Sequence, residues 1–555
     1  MARRRSRTRP PDRSPLEKVS TLRTHLGRVP PVVLLLALAA ALAHLAPLWR
    51  AQATVEPPWE FTGNLVTSPD YMQYRVWERR TEFTGPITDN RFTTEAHQPY
   101  LPVAFYWFVG ALGRAFGVAP EFVYEWLGAP LAALLVVLIY LCAQHFLATP
   151  TARWWVFLAT LGGGGLGAHL KLAAERKLLG ESGTRWLLTR LDEAPVWEQY
   201  RSHYVCKVLF DTHFLVAWVF TIAALLAFRA ALASPTALRL GALGFTSIVV
   251  TLLHPYEGPL LLLIYALTFV LVRWRAVALP GSNAAVVVGG GATSLAVAAL
   301  FALQRQSGLL IPAWRPPDVS WINVLLAYPL VALIAPTRLR AYWRSAGIDE
   351  LFLLGWAGGC LVMMLSSPWY PYADRGPTTA QIPLFLIAGA MYFATRTRVP
   401  WFHALLALVL LGATAPRDVL FRARAVNFDL HKEPALFQSR EHRAAIAALA
   451  ARADERSVLL AQPREYRWLA PEFPGLSYHA HFFLTVDFDR KFAEVEAFYA
   501  SEDLAAQARQ LDAWGIDFLH APRSARPERF AQLTGWRELA RAEGGIVFER
   551  EGRDG

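Results

Sequence analysis

The chain has 555 residues, 54% of them hydrophobic and 13% aromatic, with a mean hydropathy of +0.27. That is too apolar for a soluble protein of ordinary composition. The net charge of +11 does not point to nucleic acid, because much of the excess lies in the first 29 residues, an Arg- and Pro-rich tail suited to anionic lipid at the cytoplasmic surface. The three cysteines, Cys142, Cys206 and Cys360, lie far apart and imply neither a disulfide framework nor a metal motif.

The first apolar segment runs from Pro30 to Trp49. Ala51-Gln52-Ala53 offers a signal-peptidase pattern, but the run is longer than a usual signal core and its basic lead is long, so it reads as a retained anchor. An outer loop follows, residues 50–122, and it is the most informative stretch. Ser68-Pro69-Asp70 suits a helix start, where a carboxylate is favoured by the dipole. Met72 and Val76 then fall at helical spacing opposite Arg75, Glu78 and Arg79. Tyr71–Arg80 therefore reads as an amphipathic helix on the membrane surface. Leu101–Phe116 reads as a second, too short to span comfortably and interrupted by Arg114.

Further apolar segments lie near Val123–Phe146, Trp154–Leu170, Val208–Phe228, Leu240–Leu253, Pro259–Val272, Asn283–Leu303, Val319–Ala335, Leu351–Leu365, Ile382–Ala394 and Trp401–Ala415. With the first, that makes about 11 spans. A cytoplasmic N-terminus puts Arg229/Arg239, Arg273/Arg275, Arg338/Arg340 with Arg344, and Arg396/Arg398 in inner connections, as short basic loops require. The connection Lys171–Lys207 lands outside although it is basic. Gly162–Gly165 lie in an apolar span with no Lys-Ser/Thr after them, so close helix packing explains them better than a phosphate loop.

This topology gathers the notable polar residues on the outer face. Asp211 opens the fourth span in K-V-L-F-D-T-H-F-L; it is either an N-cap or a functional carboxylate. Asp70 carries the same two readings. His254-Pro-Tyr-Glu257 is either a plain turn or a hydrogen-bonding rim. Arg375, in S-S-P-W-Y-P-Y-A-D-R-G, either pairs with Asp374 or offers its planar fork to a phosphate.

Residues 418–555 change character to a charged, mixed composition. Helical periodicity covers Glu441–Ala453, Phe492–Tyr499 and Leu504–Trp514; Ser457–Ala461, Ile516–Leu519 and Ile546–Glu549 read as strands. This is a small α/β domain, placed outside by the odd span count. No Gly-rich turn follows a strand, which argues against a nucleotide site. His479 and His481 read as surface histidines, with contact to substrate or metal as the alternative.

An acid at the base of a juxtamembrane helix after the first span, here Asp70, resembles the first outer loop of the GT-C superfamily of integral-membrane glycosyltransferases. Oligosaccharyltransferases, protein O-mannosyltransferases and aminoarabinose transferases belong to it. Tyr204, Phe210, Asp211 and Thr212 resemble the lead into the fourth span of oligosaccharyltransferases. The resemblance implies a polytopic α-helical fold: a basic cytoplasmic tail (1–29), a GT-C-like membrane domain (30–417) and a soluble extracytoplasmic α/β domain (418–555). It implies inverting transfer of a sugar from a polyprenyl-phosphate donor to an unidentified acceptor on the extracytoplasmic face. Asp70 and Asp211 would be catalytic, and Arg375 would bind the donor phosphate. Tyr71, His97, His254 and Glu257 would contact substrate. The family's frequent acidic pair is absent, because Tyr71 follows Asp70, so no obligatory metal is expected; Mg²⁺ or Mn²⁺ would suit an oxygen ligand set. A lipid or polysaccharide transporter and a non-catalytic membrane scaffold are the competing readings. No internal repeat favours the transporter.

Overall fold

A computed structural model describes residues 29–552 except 64, 66–68, 100, 102, 164–179, 181–204, 278, 307–324, 326, 367–368, 370–378, 395, 397–398, 402, 406–435 and 483. Six described helices are long and apolar enough to cross a membrane: α1 (Pro31–Thr54), α4 (Pro120–Phe146), α6 (Thr212–Ala233), α8 (Glu257–Trp274), α9 (Ser282–Gln306, apolar through Leu303) and α11 (Ile348–Leu365). Between and after them come α2 (Pro69–Thr84), α3 (Ala104–Phe116), α5 (Pro150–Gly162), α7 (Ala237–Leu253), α10 (Pro329–Arg344) and α12 (Gln381–Phe393). Several begin on proline, whose missing N–H is no loss in a first turn. Ala51-Gln52-Ala53 is helical and belongs to α1.

The long helices approach closely through small residues. A methyl on Gly355 would come within 2.1 Å of Thr268 Oγ1, and one on Gly359 within 2.5 Å of Ile264. These two glycines, four apart on α11, form one small-residue stripe against α8. Gly163 is also crowded, by Ala159 and Gln381, whereas Gly162 faces open space. Large rings, including Trp218, Phe228, Tyr265, Phe352 and Trp356, fill the core between helices.

Asp211 precedes α6, and Arg229 lies near its other end, roughly 27 Å away at the α-helical rise. There Arg229 meets Asp349 (Nε–Oδ1 2.6 Å) and Arg275 reaches the Arg344 carbonyl at 3.1 Å. The basic ends thus cluster opposite the Asp211 end, as the charge pattern requires. One boundary differs: Arg338 and Arg340 are not in a connection but in the body of α10, which continues to Arg344.

The C-terminal part contains a five-stranded mixed sheet, ordered β4 (Leu476–Ser477), β3 (Val458–Leu460), β5 (Phe518–Pro522), β7 (Gly545–Arg550), β6 (Trp536–Ala542). The first three strands are parallel, and the β5–β7–β6 ladder is antiparallel. Its strands alternate between two cores, as the pleat dictates. Leu460, Leu519, Ile546 and Phe548 pack with Val495, Phe498 and Leu511 of α14 (Phe488–Ala500) and α15 (Leu504–Ala513). Leu459, Phe518 and Val547 turn the other way, into a core shared with Tyr71, Met72, Val76, Trp77 and Phe92 of the outer loop.

That shared core is stitched by polar contacts. Lys491 Nζ, buried, donates to Glu95, and Asn90 Nδ2 donates to the Leu484 carbonyl at 2.7 Å. A two-stranded ladder joins β1 (Trp59–Phe61) to β2 (Phe437–Ser439), which leads into α13 (Arg440–Arg452). The loop helix α2 is consequently covered on both faces. Arg75 and Glu78, read as a polar outer face, are buried and pair with each other at 3.1 Å. The C-terminal part supplies the cover that one helix's periodicity cannot reveal.

Candidate functional site

Asp70 lies inside the first turn of α2 rather than at its N-cap. Its side chain is half-exposed and faces His481, whose Nε2 lies 3.7 Å from Oδ1. Asp211 does stand at the N-cap of α6, yet its side chain makes no capping bond. Its Oδ1 instead accepts from the Tyr71 hydroxyl, a long contact at 3.4 Å. Tyr71 in turn accepts from Tyr124 O–H at 3.4 Å, and the Tyr124 oxygen accepts from the His213 backbone N–H at 3.0 Å. One tyrosine therefore follows the first acid in the chain and bonds the second.

Behind this layer runs a buried file of rings. Tyr106 O–H meets His213 Nδ1 at 2.7 Å, and His213 Nε2 meets His254 Nε2 at 3.0 Å. His254 Nδ1 lies 3.3 Å from Glu257 Oε1, an ion-pair distance without hydrogen-bond alignment. Of two facing imidazole nitrogens, one carries the proton and the other accepts it. A glutamate oxygen beside Nδ1 of His254 favours the proton there. Nε2 of His254 then accepts from His213, leaving Nδ1 of His213 to accept from Tyr106. Tyr74 stacks on both Tyr106 (4.4 Å) and His213 (5.1 Å), fixing the ring planes. All four members of the file are at most 4% exposed.

A third group closes the side near α1. His44 Nδ1 donates to the Leu209 carbonyl at 2.9 Å, while its Nε2 lies 3.5 Å from Glu125 and 3.3 Å from Thr212 Oγ1. Gly128 makes room for it: a methyl there would sit 2.0 Å from His44 Nε2 and 2.4 Å from Thr212 Oγ1. The start of α6 is thus held by polar side chains from α1, α2 and α4.

His481 is buried, not at the surface, and so is His479. Burial lowers the His481 pKa, with Asp70 pulling the other way. Burial beside the Lys491 charge brings His479 down to about 4. His97 is elsewhere in the loop, accepting from the Asn90 N–H at 2.8 Å and bonding the Glu95 carbonyl through its other nitrogen at 2.8 Å. Arg375 lies outside the described residues.

Among the described residues no group of three His, Cys, Asp or Glu side chains is arranged to hold a metal. His213 follows Asp211 by two positions, but both of its ring nitrogens are committed to Tyr106 and His254. The described side chains do not make a ligand set for a resident ion.

No family model matches the sequence, and no curated protein does. Solved structures do. The archaeal oligosaccharyltransferase AglB from Archaeoglobus fulgidus, in complex with an inhibitory peptide and a dolichol-phosphate, aligns over 90% of this chain and 70% of its own, at 12% identity and a TM-score of 0.54. The chain has the GT-C fold. Another structure of the Archaeoglobus fulgidus oligosaccharyltransferase, a complex with Zn and sulfate, aligns over 94% of this chain and 73% of its own, with 12% identity and a TM-score of 0.51. ArnT from Cupriavidus metallidurans bound to undecaprenyl phosphate aligns over 91% of this chain and 97% of its own, at 15% identity and a TM-score of 0.49.

Within this GT-C fold, sequence reasoning missed His213, Tyr106, Tyr124, His44 and Glu125. The D-T-H triplet was a signal for His213, since Thr212 and His213 open α6 directly after Asp211 at its N-cap. His44 and Glu125 were visible as lone ionisable residues inside apolar runs, which membrane helices rarely carry without a reason.

Proposed function

We propose that the protein is a membrane glycosyltransferase that takes a sugar from a polyprenyl-phosphate donor and passes it to an acceptor on the extracytoplasmic face, with inversion. The observation that carries this reading is the pairing of Asp211 with Tyr71, the residue after Asp70 in the chain, rather than with its own helix end. A carboxylate kept from capping and bonded from α2, on a helix start that α1 and α4 also hold, suits a preorganised site. The GT-C fold, shared with an oligosaccharyltransferase solved with a dolichol-phosphate, agrees with a lipid-linked donor.

In this mechanism Asp70 takes the acceptor's proton as the acceptor attacks the anomeric carbon from the face opposite the leaving phosphate. The C–O bond to phosphate breaks, and the bonding electrons leave on the phosphate oxygen. Arg375 neutralises that charge. Asp211 orients the acceptor through the Tyr71 hydroxyl. His254 and Glu257 keep His213 in one tautomer and so hold the start of α6. The N-terminal tail is cytoplasmic and the sheet-containing part extracytoplasmic, where nucleotide sugars are absent and a lipid carrier is needed.

The test is to incubate the purified protein with a panel of polyprenyl-phosphate sugars and follow sugar release or transfer. The reading predicts at least one donor consumed, with product of the opposite anomeric configuration. Retention of configuration, or a panel left untouched by well-folded protein, would overturn it.

A further inference from the structure

A polar cavity of about 630 Å³, with neither Asp70 nor Asp211 in its walls, lies on the seam between the outer loop and the C-terminal part. Its walls come from β1, the middle of α2, the first turn of α4, α13 and the short helix Tyr466–Leu469. Four arginines face three glutamates there, and the pairing among them is uneven. Arg79 serves two carboxylates, Glu121 through Nε at 3.1 Å and Glu472 through NH2 at 2.9 Å. Arg443 pairs with Glu60. That accounts for all three acids.

Two arginines keep donors that these three carboxylates do not take up. Arg75 is 4% exposed; its NH1 pairs with Glu78 at 3.1 Å and lies 3.9 Å from Glu121, while its Nε and NH2 have no hydrogen-bond partner. Arg467, half-buried on the opposite wall, has no acidic partner among the described residues. A buried guanidinium that leaves two of its nitrogens unbonded is costly unless an acceptor reaches them. The walls also offer acceptors: Glu121 Oε2 is buried and unpartnered. Phe61 and Phe122, in edge contact at 6.3 Å, supply an apolar flank.

We infer that this cavity binds an acidic sugar, a compact polyol carrying a carboxylate or a phosphate. The oxyanion answers the open guanidinium donors of Arg75 and Arg467, and a planar guanidinium fork is matched to it. The hydroxyls donate to the glutamate oxygens. The size is that of a small-molecule pocket. The inference does not depend on the transfer chemistry, because none of its walls includes Asp70, Tyr71, Asp211 or His213. Since the ligand would touch both sides of the seam, binding also locks the C-terminal part onto the outer loop.

The test is calorimetric titration of the full-length protein in detergent with glucuronic acid, glucose 6-phosphate, inorganic phosphate and glucose, together with Arg467→Glu and Arg443→Ala variants whose melting temperatures are recorded. Saturable binding of one acidic sugar is expected, at least tenfold tighter than glucose, with at least tenfold loss in Arg467→Glu and a ligand-dependent rise in melting temperature for the parent. Glucuronic acid binding best assigns a carboxylate; glucose 6-phosphate binding best assigns a phosphate. Inorganic phosphate binding as tightly as either sugar would overturn the sugar, and so would equal binding of glucose. Binding by neither acid, or binding unchanged in both variants that melt normally, would overturn the site. Asp70→Asn is expected to bind like the parent even where transfer is lost.

Discussion

Two sets of buried histidines divide the molecule. At the start of α6, His213 and His254 are wired: each faces the other, with Tyr106 at one end and Glu257 at the other. Under the C-terminal sheet, His479 is equally buried, yet neither ring nitrogen has a hydrogen-bond partner, and its neighbours are Phe488 and Phe492. His520 likewise leaves Nδ1 unsatisfied, and burial brings it down to about 3. The same residue type is used for orientation in one place and as a dry neutral ring in the other. The difference teaches where to look for chemistry: an imidazole whose proton position is fixed by neighbours can position a reaction, and one held neutral by apolar packing serves the fold.

Changing a partner should hurt the wired set most. Glu257→Gln keeps shape and removes charge. Removing one charge from a buried pair costs about 3–5 kcal/mol when its partner is charged and less beside a neutral imidazole, and a loss of about 1.4 kcal/mol at the transition state is already roughly a tenfold fall in transfer rate. His254→Gln should fall with it, and the double variant should be no worse than either alone. Additive losses in that cycle would show that the two do not act as one unit.

A smaller effect is expected at the edge of the same set. Gly128→Ala places a methyl against His44 and Thr212. Overpacking of this kind costs about 1–3 kcal/mol, read as a lower melting temperature together with a lower transfer rate. An unchanged melting temperature would mean that α1 and α4 pack loosely enough at Gly128 to accept a methyl.

The dry set gives the mildest effect, visible only in acid. His479 has a folded pKa near 4 against about 6.5 unfolded. The unfolded chain therefore binds more protons between those values. Stability is fully present above about pH 6.5 and is lost as pH falls toward 4, at up to about 1.4 kcal/mol per pH unit for one such group. His479→Leu should flatten that decline and leave transfer near neutral pH unchanged. An unaltered acid profile would contradict the assignment of His479 as a neutral core ring.

Much of this arrangement could be read before any coordinates. Ser-Pro-Asp located the start of α2 to within two residues, and Arg229, Arg275 and Arg344, expected on one side by their charge, gather at one end of the helices. The strands β3, β5 and β7 stood out as short apolar runs. The burial of Arg75 and Glu78 did not, since a helix's own pattern says nothing of a second cover arriving from 400 residues away. The strand Trp536–Ala542 was hidden for a related reason: at an edge it alternates charged residues with few apolar ones. His479 and His481 looked like surface residues because polarity was weighed without knowing that α14 and the outer loop close over them. His213 fell between, with its position legible and its partners not.

The central claim is that Asp70 and Asp211, held at one membrane face, form the centre of sugar transfer. The most direct measurement is single-turnover transfer from the donor identified in the panel, comparing the parent with Asp70→Asn and Asp211→Asn in protein shown to fold by its melting temperature. The account predicts normal melting and a loss of transfer of about a hundredfold or more for Asp70→Asn, the scale of a lost general base, with Asp211→Asn also impaired. Transfer at the parent rate in both variants would contradict it.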